Sequence, residues 1–223
     1  FNLVFCPLGY PSKIDFIKDI ELITDKLQRT KPFDDLVGIG LYYLYLSDKE
    51  EDNVFKRVSG LPPIMAHSEF ILGIYDKLKA PFKLVIVDGE GSVSCAELSS
   101  ARESSLIILG KKKYKTENSF TNDFLHELGH SLGLRDECVT CYQLSPGGYP
   151  NCALDNKEAQ EWWGDLVGGP NNRVGYISGC CGNERYIRPT IASLMNDPDK
   201  AEDFGPVNER YLRKELSNLY IKH

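Results

Sequence analysis

The chain is expected to be an α/β protein built on a mixed, mostly parallel twisted sheet, and three observations predict it. Short apolar runs rich in β-formers alternate with stretches of helical periodicity over the first 110 residues, the pattern of strands joined by crossover helices. One more amphipathic helix follows, and beyond it the periodicity dissolves into a segment dense in Gly, Asn and Cys. The chain then closes on an amphipathic run, so this irregular cysteine-rich part should end in a helix.

Each element has a local reason. FNLVF (1–5) is an apolar run ended by Pro7 and Gly9, hence a buried strand. Ile14, Phe16, Ile17, Ile20, Leu22, Ile23 and Leu27 follow helical spacing, with Ser12 as N-cap. LVGIGLYYLYL (36–46) reads as the second strand and HSEFILGIYDKL (67–78) as the second helix. FKLVIVDG (82–89) and SLIILG (105–110) are the third and fourth strands, and KKKYK (111–115) reads as a solvated run. The next helix has Thr121 or Asn122 as its cap, an apolar face of Phe124, Leu125, Leu128 and Leu132, and Gly133 as its stop. A short helical stretch near 156–164 and the closing VNERYLRKELSNLY (207–220) complete the chain, without internal repeats. The expected division is an N-terminal subdomain, 1–133, with the sheet and the motif-bearing helix, and a C-terminal subdomain, 134–223, within one catalytic domain.

With 42% hydrophobic and 26% charged residues in 223, the chain can bury a real core. A net charge of −6 argues against nucleic acid or an anionic membrane as the main partner, and no apolar run approaches the roughly 20 residues that span a bilayer. The opening FNLVFCPLGY lacks the marks of a signal peptide, so a mature or excised form is expected. Five of the seven cysteines (Cys138, Cys141, Cys152, Cys180, Cys181) fall between 138 and 181. They suggest disulfides in an oxidising compartment, and so a secreted or cell-surface protein. The alternative is a structural zinc built on Cys138-x-x-Cys141 plus two others. Adjacent Cys180 and Cys181 should reach different partners, while Cys6 and Cys95 either pair or are buried thiols.

The chemistry sits in HELGH, where His126 and His130 are four residues apart with Glu127 between them. On a helix, residues i and i+4 share a face, so two imidazoles can meet one metal ion while Glu127 reaches a water beside it. The competing plain readings are core histidines or a solvated face. The run continues as HExxHxxGxxD, in which Gly133 can take the positive φ that turns the chain back and brings Asp136 beneath the metal. Metzincins carry a third histidine there and a methionine-containing turn later; here a carboxylate fills the slot, and Met195 lies downstream in SLMNDP. A rival third ligand is Glu161, which with Asp165 matches the ExxxD pattern of thermolysin-like enzymes.

HELGHSLGLRDE, the opening FNLVFCPLGY and the closing RPTIASLMNDP…FGPVNE together resemble the IgA-peptidase-like metallopeptidases of metzincin type. That resemblance implies a metzincin-like fold, one catalytic Zn2+ held by His126, His130 and Asp136, Glu127 as catalytic base and Met195 as the Met-turn residue. It implies a zinc endopeptidase acting on a protein or peptide substrate. The departures are the cysteine-rich loop and the Asn–Asp after Met195, where some metzincins have a tyrosine that helps hold the transition state. Other classes to be weighed are a catalytically inactive binding module of the same fold and a zinc amidase or aminopeptidase. Trp162 and Trp163 either line a subsite or pack under a loop. Asp88, Glu90, Asp197, Asp199 and Asp203 are a weak Ca2+ candidate without EF-hand spacing.

Overall fold

The computed structural model describes residues 2–35, 39–44, 55–56, 64–65, 68–139, 148–169 and 172–220. In chain order its strands are β1 (Asn2–Leu8), β2 (Gly40–Tyr43), β3 (Phe55–Lys56), β4 (Ile64–Met65), β5 (Phe82–Asp88), β6 (Cys95–Ala96), β7 (Ser105–Gly110), β8 (Ile177–Cys180) and β9 (Asn183–Arg188). Its helices are α1 (Lys13–Arg29), α2 (Ser68–Leu78), α3 (Glu117–Ser131), α4 (Asn156–Trp163) and α5 (Pro206–Tyr220). Short 3-10 turns intervene.

The main sheet has the order β2-β1-β5-β7-β6. β2, β1, β5 and β7 run parallel, and β6 closes one edge antiparallel to β7. This is the mixed, mostly parallel α/β architecture expected. The period-two alternation of the strands sorts their side chains into two cores. Leu3, Phe5, Val85, Val87, Ile107 and Leu109 face α1 and α3, while Val4, Cys6, Leu8, Leu84, Ile86 and Ile108 face α2 through Ile74. Covering both faces with helices is why β5 is buried along its whole length. Its one charged member inside the run, Lys83, donates to the carbonyls of Ser100 (2.8 Å) and Glu103 (2.7 Å), fixing the loop ahead of β7. The first of these cores also takes in Leu134, Leu194, Met195, Phe204, Leu212 and Leu216, so one apolar cluster draws on both sides of residue 133.

Four expectations need correcting. β1 does not stop at Pro7 but continues to Leu8. Its neighbour β2 ends opposite Phe5, so a proline beyond that point loses no bond to that side, and Gly9 with φ 64° ends the strand. The strand expected over 36–46 is formed at 40–43; residues 36–38, 45–46, His67 and Cys141 lie outside the described residues. Helix α3 starts several residues before its expected cap. Thr116 is the N-cap, its Oγ1 accepting from the Ser119 amide at 3.1 Å, and Thr121 and Asn122 are buried inside the helix. Finally, KKKYK is not simply solvated: Lys111 pairs with buried Asp19 at 2.5 Å, Lys113 with buried Asp123 at 3.2 Å, and Tyr114 donates to Asp123 as well.

Candidate metal centre

Helix α3 is wedged between the sheet and the second half of the chain, with Phe124, Leu125 and Leu128 fully buried. Its other face carries His126, Glu127 and His130. It ends in a Schellman-type close, in which the Gly133 amide donates to the His130 carbonyl (3.0 Å) and the Leu134 amide to the Gly129 carbonyl (3.0 Å). Gly133 has φ 100°, and a Cβ there would stand 2.6 Å from the Tyr211 hydroxyl. Glycine is needed at this position twice over, for its backbone angle and for the space.

The turn delivers Asp136 beneath the two histidines, along a loop with no regular structure and almost every backbone group tied. Asn151 clamps Arg135 from both sides, its Oδ1 accepting from the Arg135 amide (3.0 Å) and its Nδ2 donating to the Arg135 carbonyl (2.8 Å). The Asp136 carbonyl accepts from the Cys181 amide at 3.0 Å, the Glu137 amide donates to the Met195 carbonyl at 2.8 Å, and Arg188 donates to the Glu137 carbonyl at 2.8 Å.

Three atoms then converge. His126 Nε2 and His130 Nε2 are 3.1 Å apart, and Asp136 Oδ1 is 3.2 Å from the first and 3.4 Å from the second. A tetrahedral ion with bonds of about 2.0–2.1 Å sets its ligand atoms roughly 3.3 Å from one another. The rings are also oriented from behind, since each Nδ1 lies against a carbonyl: Leu194 for His126 (2.7 Å) and Leu134 for His130 (3.0 Å). An Nδ1–H donating to a carbonyl places the tautomer so that each Nε2 carries its lone pair toward the common point. The donor set and its spacing fit zinc.

Charge at the site follows from the same geometry. Burial works against a charge on His126, but the hydrogen bond to Asp136 and the nearby Glu127 outweigh it and hold the imidazole up at about 9. Burial would raise Asp136, yet the two imidazoles bonded to it hold its carboxyl well below the ordinary range. Burial pushes Glu127 up to about 7, against the pull of the two histidines. These shifts favour a charged His126 against a charged Asp136 in the metal-free chain.

Met195 is fully buried against the middle of α3, and a Cβ on Gly129 would stand 2.5 Å from its sulfur. The turn that carries it, closed by the Asn196 and Asp197 amides on the Ser193 carbonyl, also supplies the Leu194 carbonyl that orients His126. Asn196 points away to the Ile191 carbonyl (2.7 Å).

Other candidates separate from this centre. Glu161 does not join the histidine cluster; it lines a hollow of about 700 Å³ with Pro150, Trp162 and Arg210. Trp163 is buried with its indole N–H on the Gly175 carbonyl (2.9 Å), the packing reading rather than a subsite. Asp197 pairs with Lys200 and Asp203 with Arg173 (2.7 Å each), so the weak Ca2+ candidate is not assembled among the described residues. Cys152 and Cys180 are joined, and Cys181 brings its sulfur within 4.8 Å of both. Cys138 is also disulfide-bonded, whereas Cys6 and Cys95 do not pair with each other.

Sequence reasoning missed the residues that hold the ligand loop: Glu137, Asn151, Arg188, Ser193 and Asn208. They are single polar residues scattered over loops, the end of β9 and the first turn of α5, and only Glu137, adjacent to Asp136, had a position that could have drawn notice.

No family model and no curated protein matches the chain. Among solved structures it is similar to archaemetzincin from Methanopyrus kandleri, at 10% identity over 97% of this chain and 96% of that one, with a TM-score of 0.46. It is also similar to archaemetzincin from Archaeoglobus fulgidus, solved in complex with malonate, at 16% identity over 65% of this chain and 88% of that one, with a TM-score of 0.32. At such identities and scores the chemistry has to be read from the site itself. Among the described residues, no helix is long and apolar enough to cross a membrane.

Proposed function

We propose that the protein is a zinc-dependent peptidase of metzincin type. Within that class we place it with the IgA-peptidase-like metallopeptidases, on the run HELGHSLGLRDE and the two terminal segments. The observation that carries the reading is the convergence of His126 Nε2, His130 Nε2 and Asp136 Oδ1 at separations that suit three corners of a tetrahedron, with both imidazoles oriented from behind. Met195 acts as the Met-turn residue, and residues 1–133 and 134–223 form the two flanks of one catalytic domain.

When bound, zinc supplies a Lewis acid that polarises the scissile carbonyl and brings the pKa of a bound water toward about 7. Glu127 takes the proton from the attacking water on its carboxylate and returns it to the departing amine. Burial makes its carboxylate a stronger base than an exposed glutamate, which suits it to accept that proton. Asp136 leaves the site less positive than a third histidine would, so the attacking water is less acidic. The substrate is a protein or peptide cut internally. The Cys152–Cys180 bond supports a secreted or surface location.

Zinc content by elemental analysis of the wild type, Asp136→Ala and Glu161→Ala tests the ligands, with hydrolysis of a peptide library by Glu127→Ala as the functional arm. The expected result is at least one zinc in the wild type and Glu161→Ala, and a large loss in Asp136→Ala. Glu127→Ala should keep its zinc while turnover falls by at least about 10²–10⁴. Zinc lost from Glu161→Ala but retained by Asp136→Ala would overturn the assignment. A second zinc per chain in the wild type would point to a cysteine site, which requires the Cys152–Cys180 bond to be open, and would count against that bond.

A further inference from the structure

Directly after the proposed ligand Asp136 lies a carboxylate with no exposure at all, that of Glu137. Four side-chain donors converge on it. Asn208 Nδ2 (2.7 Å) and Asn151 Nδ2 (3.1 Å) donate to Oε1, and Ser193 Oγ (2.7 Å) and Thr190 Oγ1 (3.4 Å) donate to Oε2. These donors come from three of the segments that surround the loop of Asp136. Asn151 belongs to the stretch next to Cys152, Thr190 and Ser193 lead into the turn of Met195, and Asn208 is in the first turn of α5. The Glu137 backbone makes the remaining links, its amide to the Met195 carbonyl and its carbonyl to Arg188.

A buried acidic group is costly unless its lone pairs are filled, and four donors fill them. Three facts bear on what the arrangement accomplishes. Asn151 bridges Glu137 and both backbone groups of Arg135, so the residues on either side of Asp136 are held by one amide. Ser193 accepts no freedom either, since its own carbonyl closes the turn whose Leu194 carbonyl orients His126. A single carboxylate therefore fixes the position of one ligand and the ring angle of another. The main sheet and helix α3 end before residue 135, and the apolar core holds Leu194 and Met195 of the turn but neither Asp136 nor Glu137.

Resting on the zinc reading above, we propose that Glu137 is a positioning residue for the metal site, locking the Asp136 loop and the 193–197 turn into one polar unit. Its carboxylate sets the geometry in which Asp136 and His126 meet the ion, and it does not itself touch ion or substrate. Replacing one oxygen by an amide, as in Glu137→Gln, removes the charge that gathers four donors and obliges the Ser193 and Thr190 hydroxyls to turn and accept, which loosens the unit.

The test is zinc affinity by chelator competition at a temperature where each apo protein is folded by circular dichroism. It is joined by the visible spectrum of the Co2+-substituted protein, which reports ligand geometry. Trp163→Phe serves as the stability control, since Trp163 sits in a separate apolar cluster. We expect Glu137→Gln to lose about 10- to 100-fold in zinc affinity, the range seen when groups supporting metal ligands are removed, with a changed Co2+ spectrum. Trp163→Phe should lower the melting temperature and change neither. Affinity in Glu137→Gln within twofold of the wild type, with an unchanged spectrum, would overturn the proposal. If Glu137→Gln does not fold, Ser193→Ala carries the comparison, a severalfold loss supporting the proposal and no loss overturning it. Asp136→Ala, run alongside, separates the two failures: if it binds zinc like the wild type, the ligand assignment itself is wrong and this proposal falls with it.

Discussion

The sheet lobe and the segment from Leu134 to Gly205 meet on the same helix but are held together in different ways. In the sheet lobe the strands, α1 and α3 interlock through alternating apolar side chains, each fully buried Leu, Val or Phe contributing on the order of 1.5–3 kcal/mol. Such a core tolerates a change at any one position in proportion to the volume lost. Around Asp136 there is little regular structure, and order comes from specific hydrogen bonds on Asn151, Glu137 and Arg188 and from the Cys152–Cys180 link. A polar unit of this kind is held in one arrangement, because a misplaced donor or acceptor in a buried site is left unpaired at a cost of about 1–3 kcal/mol. The contrast teaches that stability and site geometry can be supplied by separate parts of one small protein.

That separation can be broken experimentally. The largest effect on stability should come from Phe124→Ala, which empties a site packed on Phe5 with ring centroids 6.1 Å apart. We expect a loss of about 3–5 kcal/mol in denaturant titration of the apo protein, while zinc affinity measured on the folded population stays near that of the wild type. A matching loss of affinity, from a residue two positions before His126 and on the opposite side of the helix, would show that the two regions are not separable.

Gly129→Ala probes the seam where they touch. Its new Cβ would press on Met195 Sδ at 2.5 Å and Phe204 at 3.1 Å. Overpacking of about 1–3 kcal/mol should outweigh the roughly 1 kcal/mol that alanine gains as a helix former. Displacing the 193–197 turn also moves the carbonyl behind His126, so melting temperature and zinc affinity should fall together. A stabilised variant with full affinity would mean that the turn yields at no cost.

The smallest effect is that of pH on the metal-free chain. His126 and Glu127 are both raised in the folded state, to about 9 and about 7 from ordinary values of 6.5 and 4.5. A raised pKa contributes stability that is complete below the unfolded value and lost as pH climbs through the folded one. The apo melting temperature should therefore decline from about pH 4.5 to about pH 8, above which buried Lys83, lowered to about 8, acts in the opposite sense. Zinc binding near neutral pH should release a proton, read from calorimetry in buffers of different ionisation enthalpy. An apo protein that gains stability over this window would contradict the raised values of His126 and Glu127.

Much of the sheet lobe was legible because burial on two faces demands long apolar runs, and FKLVIVDG and SLIILG can scarcely be anything but central strands. Boundaries were less secure where a side chain answered to a partner far away: Pro7 stays in β1 because of where β2 ends, and the lysines of KKKYK are tied down by Asp19 and Asp123. At the site, His126, Glu127 and His130 declare themselves through helical spacing, and Gly133 through the turn it must make.

The sequence by itself determined the α/β class, the helix that carries the paired histidines and the turn that follows it, since these depend on local periodicity and on the backbone freedom of glycine. Only the tertiary structure decided which carboxylate joins the histidines. Asp136 and Glu161 both carried suitable patterns, and what separated them was the path of the chain after Gly133 and the polar unit on Glu137 that fixes it. Hydrogen bonds between residues 14 to 71 positions apart leave no period in a sequence.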